Sequence, residues 1–345
     1  MNFDEYLAQI PKVELHCHLP GSVRAETIIE LGRKYGVGLR AWEPDELFTY
    51  SSILDFLDVL GSVGKCIRTR DEFARVAYEC LEDEVKSSNL RYREMFFSPT
   101  YHYEQGVSYV TVVDGLLDGI QQAESDYGVK CRLIAGISRK DSHAVVMKMM
   151  DDIVLNPRDE MIGIAQDDLR RDGLEVPEEW APAYEIAKKH GLKRTAHVGE
   201  NASSSAKEIY TAIDLLGCDR IDHGYRIIET PEAIRRARDE GWHFTTCVTT
   251  TAKCYGWSDI EIHPIRRMLE EGLSVGLNTD DPSMFQTTLT REFQLGCNNW
   301  GLGPKEARQL VMGAVDGSWA DESEKRSMRD EFGREFDRLD AELEI

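Results

Sequence analysis

Short runs of apolar and β-branched residues recur along the chain, separated by longer stretches with apolar residues at every third or fourth position. The short runs have the length of buried strands, and the longer stretches have the period of amphipathic helices. Eight runs are predicted as strands: Lys12–His18, Tyr92–Ser98, Cys131–Ser138, Met161–Gln166, Arg194–Val198, Arg220–Gly224, His243–Val248 and Ser274–Thr279. Strands that alternate with helices in this way predict an α/β fold, a parallel sheet closed into a (β/α)8 TIM barrel. An open doubly wound sheet is the alternative, but no strand is followed by the Gly-x-Gly-x-x-Gly turn typical of that fold.

Residues typical of helix ends and apolar stripes with helical spacing mark several of the predicted helices. Thr230-Pro231 and Gly241 bracket one helix, because proline suits the first turn and glycine the position after the last. The stretch between the first two strands, residues 19–91, is too long for one crossover helix and should hold extra helices near the barrel mouth, packed there or covering a substrate. Apolar stripes mark two more helices, one with Ala206, Ile209, Tyr210, Ile213 and Leu216 and one with Phe332, Phe336, Leu339 and Leu343.

Composition and charge narrow the class of function. The chain has 345 residues, 41% of them hydrophobic, and no linker or low-complexity run, so residues 1–345 are expected to form one domain. With 41 Lys and Arg against 62 Asp and Glu, the formal charge of -21 would repel nucleic acid and anionic membranes. The N-terminal residues do not resemble a signal peptide and no run is long and apolar enough to span a bilayer, which predicts a cytoplasmic protein. The 8 cysteines form no Cys-x-x-Cys pair, so neither a disulfide framework nor a thiolate zinc site is indicated.

Two histidines, His16 and His18, are the first candidates for chemistry. A strand turns every second side chain to the same face, so both imidazoles project together and can bind one metal ion. Two solvated histidines at a strand end would show the same pattern. Three later apolar runs also end in polar residues, at positions 195–200, 220–224 and 276–282.

The carboxyl ends of the strands of a (β/α)8 barrel converge on one mouth. His16 and His18 would therefore meet three side chains from later strands, which are His197, His223 and Asp280. Three neutral imidazoles and one carboxylate suit zinc or a similar divalent ion and leave a coordination position for water. Glu200 would overhang the same site as a proton carrier, and His223 is either a ligand or a base.

Together these motifs resemble the adenosine deaminase family within the amidohydrolase superfamily. The resemblance rests on Pro11–Leu19, His197–Glu200, Arg220–Arg226 and Leu277–Phe285, and it runs in the same order over nearly the whole chain. It implies a zinc-dependent aminohydrolase that replaces the C6 amino group of an adenine-type purine by means of a metal-activated water and releases ammonia. One metal ion per subunit is expected, because the strand at 161–166 has no lysine to bridge a second ion.

The resemblance also implies a role for each site residue. The metal ligands would be His16, His18, His197 and Asp280, with Zn2+ or another divalent ion as the cofactor. His223 would orient and deprotonate the metal-bound water, Glu200 would donate a proton to purine N1, and Asp281 would hydrogen-bond N7. Gly163 would meet N3 through its backbone amide. These roles are chemically consistent, since coordination lowers the pKa of bound water towards about 7 and a carboxyl kept neutral by its pocket can protonate the ring.

The residues expected near the sugar of a nucleoside depart from the family pattern. Pro20 stands where nucleoside-acting members carry an acid, and Ala-Gln-Asp-Asp at 165–168 replaces the usual Asp-Leu-Ala-Gly-like run. The expected partner is a small-molecule purine, and adenosine, adenine base and N6-substituted nucleosides or nucleotides stay open as substrates. A non-catalytic relative is a further alternative, against which the retention of every ligand and of Glu200 argues.

Overall fold

The strands follow the predicted order in the computed structural model, which describes residues 1–50, 53–170 and 172–343, with the side chains of 53 and 54 left out. The strand segments in this part of the chain are β1 Lys12–His18, β2 Leu90–Phe97, β3 Lys130–Ser138, β4 Met161–Asp167, β5 Lys193–Arg194, β6 His197–Val198, β7 Ile221–His223, β8 His243–Thr246 and β9 Ser274–Leu277. They fall on the eight predicted runs, because β5 and β6 are the two ends of the fifth run.

All neighbouring strands are parallel, in the orders β1-β2-β3-β4-β5 and β6-β7-β8-β9. Residues 195 and 196 connect the two groups, since the Thr195 N–H donates to Ile164 O at 3.1 Å and Ala196 O accepts from Asp222 N at 3.1 Å. At the other seam the Asp280 N–H donates to His16 O at 3.1 Å and the His18 N–H donates to Asp280 O at 2.7 Å. These bonds join the first strand to the segment after the last, and the predicted (β/α)8 barrel is confirmed.

Helices pack outside the strands and above the barrel mouth. Their bounds are α1 Phe3–Gln9, α2 Ala25–Tyr35, α3 Pro44–Leu47, α4 Ile53–Cys66, α5 Arg70–Ser88, α6 Tyr109–Tyr127, α7 His143–Leu155, α8 Ala181–Lys189, α9 Ala206–Tyr210, α10 Pro231–Glu240, α11 Val248–Cys254, α12 Pro264–Glu270, α13 Pro282–Phe285, α14 Leu289–Trp300, α15 Pro304–Gly317 and α16 Glu322–Glu342. The extra helices predicted within 19–91 are α2 to α5. α10 ends at Glu240 and is followed by Gly241 in a left-handed conformation, so the predicted bracket of this helix is confirmed. The stripe that begins at Ala206 continues from α9 into a π-helical turn at Thr211–Leu215. On α16, Phe332, Phe336 and Leu339 are buried, which confirms a docked amphipathic helix.

Charged side chains inside the barrel are buried in pairs. The Arg93 Nη2 lies 2.5 Å from Glu14 Oε2, and both side chains are fully buried. The other Glu14 oxygen accepts from the backbone N–H of Thr279 at 2.8 Å, so Glu14 ties β1 to the segment that carries Asp280. Arg220 pairs with Glu94 nearby and lies 4.0 Å from the ring centroid of Trp319. A buried ion requires such a partner, because an unpaired charge in the interior is very costly.

Two further expectations concern cysteines and membranes. The sequence indicated no disulfide framework. All eight cysteines, each within the described residues, are free, and all but Cys254 are buried. Across residues 1–50, 53–170 and 172–343, none of the helices combines the length and the apolar character that crossing a lipid bilayer requires.

Candidate active site

Four of the predicted ligand side chains meet at the carboxyl ends of the strands. His16 and His18 come from β1, His197 from β6, and Asp280 from the segment after β9. The Nε2 atoms of His16 and His18 each lie 3.3 Å from Asp280 Oδ1, and the Nε2 atoms of His18 and His197 are 3.0 Å apart. One donor atom from each of the four residues lies within 4.8 Å of all the others. This cluster brings together the predicted metal ligands.

The Nδ1 atoms of His16 and His197 contact side chains that lie outside the cluster. His16 Nδ1 lies 3.0 Å from Thr245 Oγ1, whose hydroxyl donates to Asp222 Oδ1 at 2.8 Å. The other Asp222 oxygen lies 3.3 Å from His197 Nδ1. Contacts of this kind fix the ring orientation of metal-binding histidines and direct Nε2 inward.

The donor set fits a divalent metal ion. The lone pairs of the His18 and His197 Nε2 atoms would repel each other at 3.0 Å unless a cation or a proton lies between them. Burial alone would raise the pKa of Asp280, but the imidazoles of His16, His223 and His18 hold it well below its usual range. An ionised carboxylate with three imidazoles is a typical zinc donor set.

Two of the site residues at the barrel mouth have a left-handed backbone conformation. Asp280 has φ 65° and His223 has φ 64°, and both therefore occupy the left-handed region that non-glycine residues seldom adopt. Asp280 keeps this conformation because its N–H and its C=O both bond β1, to His16 and His18. Such positions cost free energy and concentrate at functional sites.

His223 and Glu200 face each other beside the cluster. His223 Nε2 lies 3.4 Å from Glu200 Oε1, and His223 Nδ1 lies 3.2 Å from the Tyr225 hydroxyl. Burial raises the pKa of Glu200 well above its usual value, and the nearby Asp280 and Glu175 raise it further. Burial also lowers the pKa of His223 well below its usual value, assisted by His16. Both shifts favour the uncharged forms, which are the acid form of Glu200 and the base form of His223.

Asp281 follows the ligand Asp280 and is buried in the cavity wall. Its Oδ1 accepts no hydrogen bond from any described residue, and burial together with the charge of Asp280 raises its pKa well above the usual value. Gly21, in the turn Pro20–Ser22, allows this carboxyl its position, because a Cβ at residue 21 would collide with Asp281 Oδ1. Asp281 thus lines the cavity, with its Oδ1 packed against Gly21.

The cluster lies in a cavity that opens to solvent. Phe56, Leu57 and Leu60 of α4 line it, so these residues, predicted to serve either packing or a purine pocket, contribute to the cavity wall. Phe56 also stacks on Phe285 with ring centroids 4.8 Å apart. Pro20 lines the cavity as well, where the family pattern has an acid. The cavity therefore has an apolar wall on the side of α4 and titratable groups around the cluster.

The structure does not bring Gly163 to this cavity. Gly163 lies on β4 beside Ile134 and Lys193, and a Cβ there would meet Trp319 at 2.5 Å. Four residues of strand, about 13 Å, separate it from Asp167 at the mouth end of β4. Its neighbours at 161, 162, 193 and 319 line a different cavity. The assignment of Gly163 rests on its match to the family glycine, and the structure places it near the amino end of β4, away from the mouth.

Sequence reasoning also missed cavity-lining residues that come from loops and strand ends. They are Ser98, Tyr101, Asp167, Asp168, Leu169, Thr250 and Tyr255. One signal was present in the sequence, since Ala-Gln-Asp-Asp at 165–168 departs from the family run exactly where two of these acids stand. Asp168 has φ 69°, which marks the point where the chain leaves β4.

Comparisons with known proteins agree with this geometry. Residues 11–334 match the family model described as adenosine deaminase. An adenosine deaminase of Clostridium botulinum is 30% identical over 339 residues, which are 95% of this chain and 98% of that protein. A zinc-bound amidohydrolase of Burkholderia ambifaria superposes with a TM-score of 0.90 at 32% identity, over 98% of this chain and 93% of that one. An adenine deaminase of Arthrobacter aurescens does so with a TM-score of 0.87 at 27% identity, over 94% and 98%. The resemblance inferred from the motifs is confirmed.

Proposed function

This chain belongs to the adenosine deaminase family, and we propose that it replaces the C6 amino group of an adenine-type purine with oxygen and releases ammonia. The observation that carries the proposal is the 3.4 Å approach of His223 Nε2 to Glu200 Oε1 beside the four-donor cluster, inside one cavity. This arrangement provides a base, an acid and a metal site within reach of one small ligand. We assign the whole of residues 1–345 to one domain with this activity and expect it to act in the cytoplasm.

His16, His18, His197 and Asp280 would hold the metal ion, for which we propose zinc, one per subunit. When bound, a zinc ion supplies a water whose pKa is lowered towards about 7. Asp222 supports this set because its two oxygens reach His16, through Thr245, and His197. The residues of the cluster and their supports therefore form one connected network of hydrogen bonds and ion pairs.

His223 acts as the general base. The Tyr225 hydroxyl donates to Cys247 O at 3.2 Å and accepts from Cys247 N at 2.9 Å, so it is left to accept from Nδ1–H of His223. This tautomer leaves the lone pair of Nε2 directed into the cavity. His223 takes a proton from the attacking water there as the oxygen bonds to C6.

Glu200 acts as the general acid. Addition at C6 moves an electron pair of the ring onto N1, and the neutral carboxyl of Glu200 donates its proton to that atom. The C6–N bond then breaks, and the amino group leaves as ammonia after receiving the proton held by His223. The proton of the new C6 hydroxyl passes to the Glu200 carboxylate, so C6 becomes a carbonyl and both residues return to their starting forms. Atoms and charge balance, because one water is consumed and one ammonia is released.

Asp281 orients the ring. Burial and the nearby Asp280 raise its pKa well above the usual value, which favours the protonated form, and that form donates a hydrogen bond to N7. The apolar wall formed by Phe56, Leu57 and Leu60 would cover part of the ring and exclude water. The acid, the base and the orienting group thus come from three different strand ends.

The test is release of ammonia by the zinc-loaded protein with adenine, adenosine, 2′-deoxyadenosine, AMP and N6-methyl derivatives as substrates. Products are identified by mass spectrometry, with protein stripped by a chelator as the control. We expect an inosine- or hypoxanthine-type product from at least one unmodified adenine compound. Turnover of N6-methyl compounds alone, with methylamine as the product, would change the leaving group and contradict the proposed substrate. Absence of turnover for every compound would refute the function.

A further inference from the structure

Two polar side chains at the mouth have no part in the proposed reaction. Asp167 ends β4 and Ser98 directly follows β2, and both line the cavity. The two residues are buried, with 4% and 5% of their surface exposed. We call Asp167 and Ser98 together the Asp167 niche.

Gly136 on β3 makes room for the niche. A Cβ at this position would lie 2.8 Å from Asp167 Oδ2 and 2.9 Å from Ser98 Oγ. Glycine therefore lets Asp167 and Ser98 pack against the backbone of β3, next to each other. Both side chains line the cavity, so one polar group of a ligand placed there is within reach of the pair.

The bonding of Asp167 is incomplete. Its Oδ1 accepts no hydrogen bond from any described residue, and its Oδ2 lies 3.7 Å from His18 Nδ1, beyond hydrogen-bond length. The adjacent Asp168 differs, because it accepts from Ser138 Oγ at 2.7 Å and lies 2.6 Å from Lys140 Nζ. Buried polar atoms are normally paired, so an unpaired carboxyl oxygen in a cavity wall indicates a bonding partner that arrives with a ligand.

The charge of the surroundings defines that partner. Carboxyl groups contribute five of the described side chains that line the cavity, namely Asp167, Asp168, Glu200, Asp280 and Asp281, and none of the described lining residues is a lysine or arginine. The described lining thus offers no cationic side chain to pair with an anionic group such as phosphate. A neutral N–H or O–H donor would be accepted, and a carboxyl group keeps an acceptor oxygen whether or not it is protonated.

We propose that the Asp167 niche is a specificity site that accepts a hydrogen bond from a neutral donor on the substrate, away from the reacting C6. The inference rests on the proposed function insofar as it names the substrate's purine ring. The donor is either the ring N9–H of a free base or a hydroxyl of a nucleoside sugar. Asp167 thereby selects for substrates that carry such a donor.

Ligands without a 6-amino group cannot release ammonia, so their binding tests the niche in the absence of deamination. Purine offers N9–H, purine riboside offers sugar hydroxyls, and 9-methylpurine offers neither. Dissociation constants are measured by calorimetry on zinc-loaded wild type, Asp167→Ala and Asp167→Asn, with Asp168→Asn as the matched control. Zinc content is measured for every variant.

We expect the wild type to bind one of the two donor ligands about ten- to a hundredfold more tightly than 9-methylpurine, as one hydrogen bond to a carboxyl group provides. Preference for purine identifies a free base, and preference for purine riboside identifies a nucleoside. Asp167→Ala should erase the preference, Asp167→Asn should keep part of it, and Asp168→Asn should alter all three constants by one common factor. If Asp167→Ala does not fold, Ser98→Ala is the deciding variant, and its preference for the donor ligand should be severalfold smaller than that of the wild type.

Three results would overturn the proposal. The first is a wild type that binds neither donor ligand more tightly than 9-methylpurine. The second is an equal loss of affinity for all three ligands in Asp167→Ala or, if that variant does not fold, an unchanged preference for the donor ligand in Ser98→Ala. The third is loss of zinc from Asp167→Ala, which would make Asp167 a positioning residue for His18. If the binding pattern is found but no adenine compound is deaminated, the proposed function fails and the niche stands.

Discussion

Replacement of Glu200 by Gln separates proton donation from all other properties of the site. Gln has nearly the same shape and, like the protonated carboxyl, is uncharged, but it has no proton to give. The Glu200 side chain has 12% of its surface exposed, and burial together with Asp280 and Glu175 raises the pKa of its carboxyl well above the usual value. Because this shift favours the uncharged form, an uncharged amide of similar shape changes chiefly the acidity of the group.

The expected loss follows from this difference. General acid catalysis contributes about 10²–10⁴ in rate, so kcat for Glu200→Gln should fall by that factor, or by about 3–5 kcal/mol in the barrier. KM should change much less, since the amide still fills its place beside His223. The wild type should lose activity as pH rises through the raised pKa of Glu200, because only the protonated form donates, and the residual rate of the variant should lack this alkaline limb.

The assay is steady-state kinetics on the preferred purine, with zinc content and thermal unfolding measured on the same samples. Glu232→Gln is the control, because Glu232 is an exposed carboxylate in the first turn of α10. Zinc content and unfolding temperature should stay at wild-type values in both variants. A Glu200→Gln enzyme within tenfold of the wild-type kcat would remove Glu200 from the mechanism, and one that lost zinc would make it part of the metal site.

Other variants probe the metal, the stability and the cavity wall. His18→Ala should lose most of its zinc and its activity together, as measured by plasma mass spectrometry, whereas the exposed His190→Ala should keep both; full occupancy in His18→Ala would refute the ligand set. Burial raises the pKa of Glu292 to about 7, so the native state binds the proton of this carboxyl more tightly than the unfolded state does. Deprotonation of Glu292 should therefore lower the wild-type free energy of unfolding between pH 4.5 and 7, by up to about 3 kcal/mol. Glu292→Gln should remove that fall in urea titrations at the two pH values, and an unchanged difference would contradict the assignment. Gly21→Ala should displace Asp281 and lower kcat/KM about tenfold or more at constant zinc content, and wild-type kcat/KM would exclude the contact.

The sequence predicted the barrel well because strand alternation and helix boundaries are local signals. β1 has the predicted bounds, and α10 begins at Pro231 and ends before Gly241. His16 and His18 met the other ligands because a parallel barrel brings all strand ends to one mouth, whatever their separation along the chain. The ligand cluster therefore required only the correct order of strands.

Other features depended on contacts that no local pattern contains. The fifth strand is divided because Thr195 still bonds β4 whereas Ala196 already bonds Asp222 of β7. The eighth strand segment ends at Thr246, before the predicted Val248, because Glu292 from α14 accepts from the Val248 N–H at 2.9 Å and caps a helix there. Residues 165–168 showed a departure from the family, but only the packing around Gly136 gives Asp167 its place in the cavity.

The seam between β1 and the segment after β9 has a consequence for synthesis of the protein. The hydrogen bonds that close the ring, from Asp280 to His16 and from His18 to Asp280, are made by ligand residues themselves. A nascent chain on the ribosome therefore carries His16 and His18 through most of translation without their carboxylate partner. Only after residue 280 has emerged can the last ligand and the last seam form, in the same event. A truncated or stalled chain would lack one of the four donors of the cluster and remain open, which gives proteases a way to distinguish it from the complete fold.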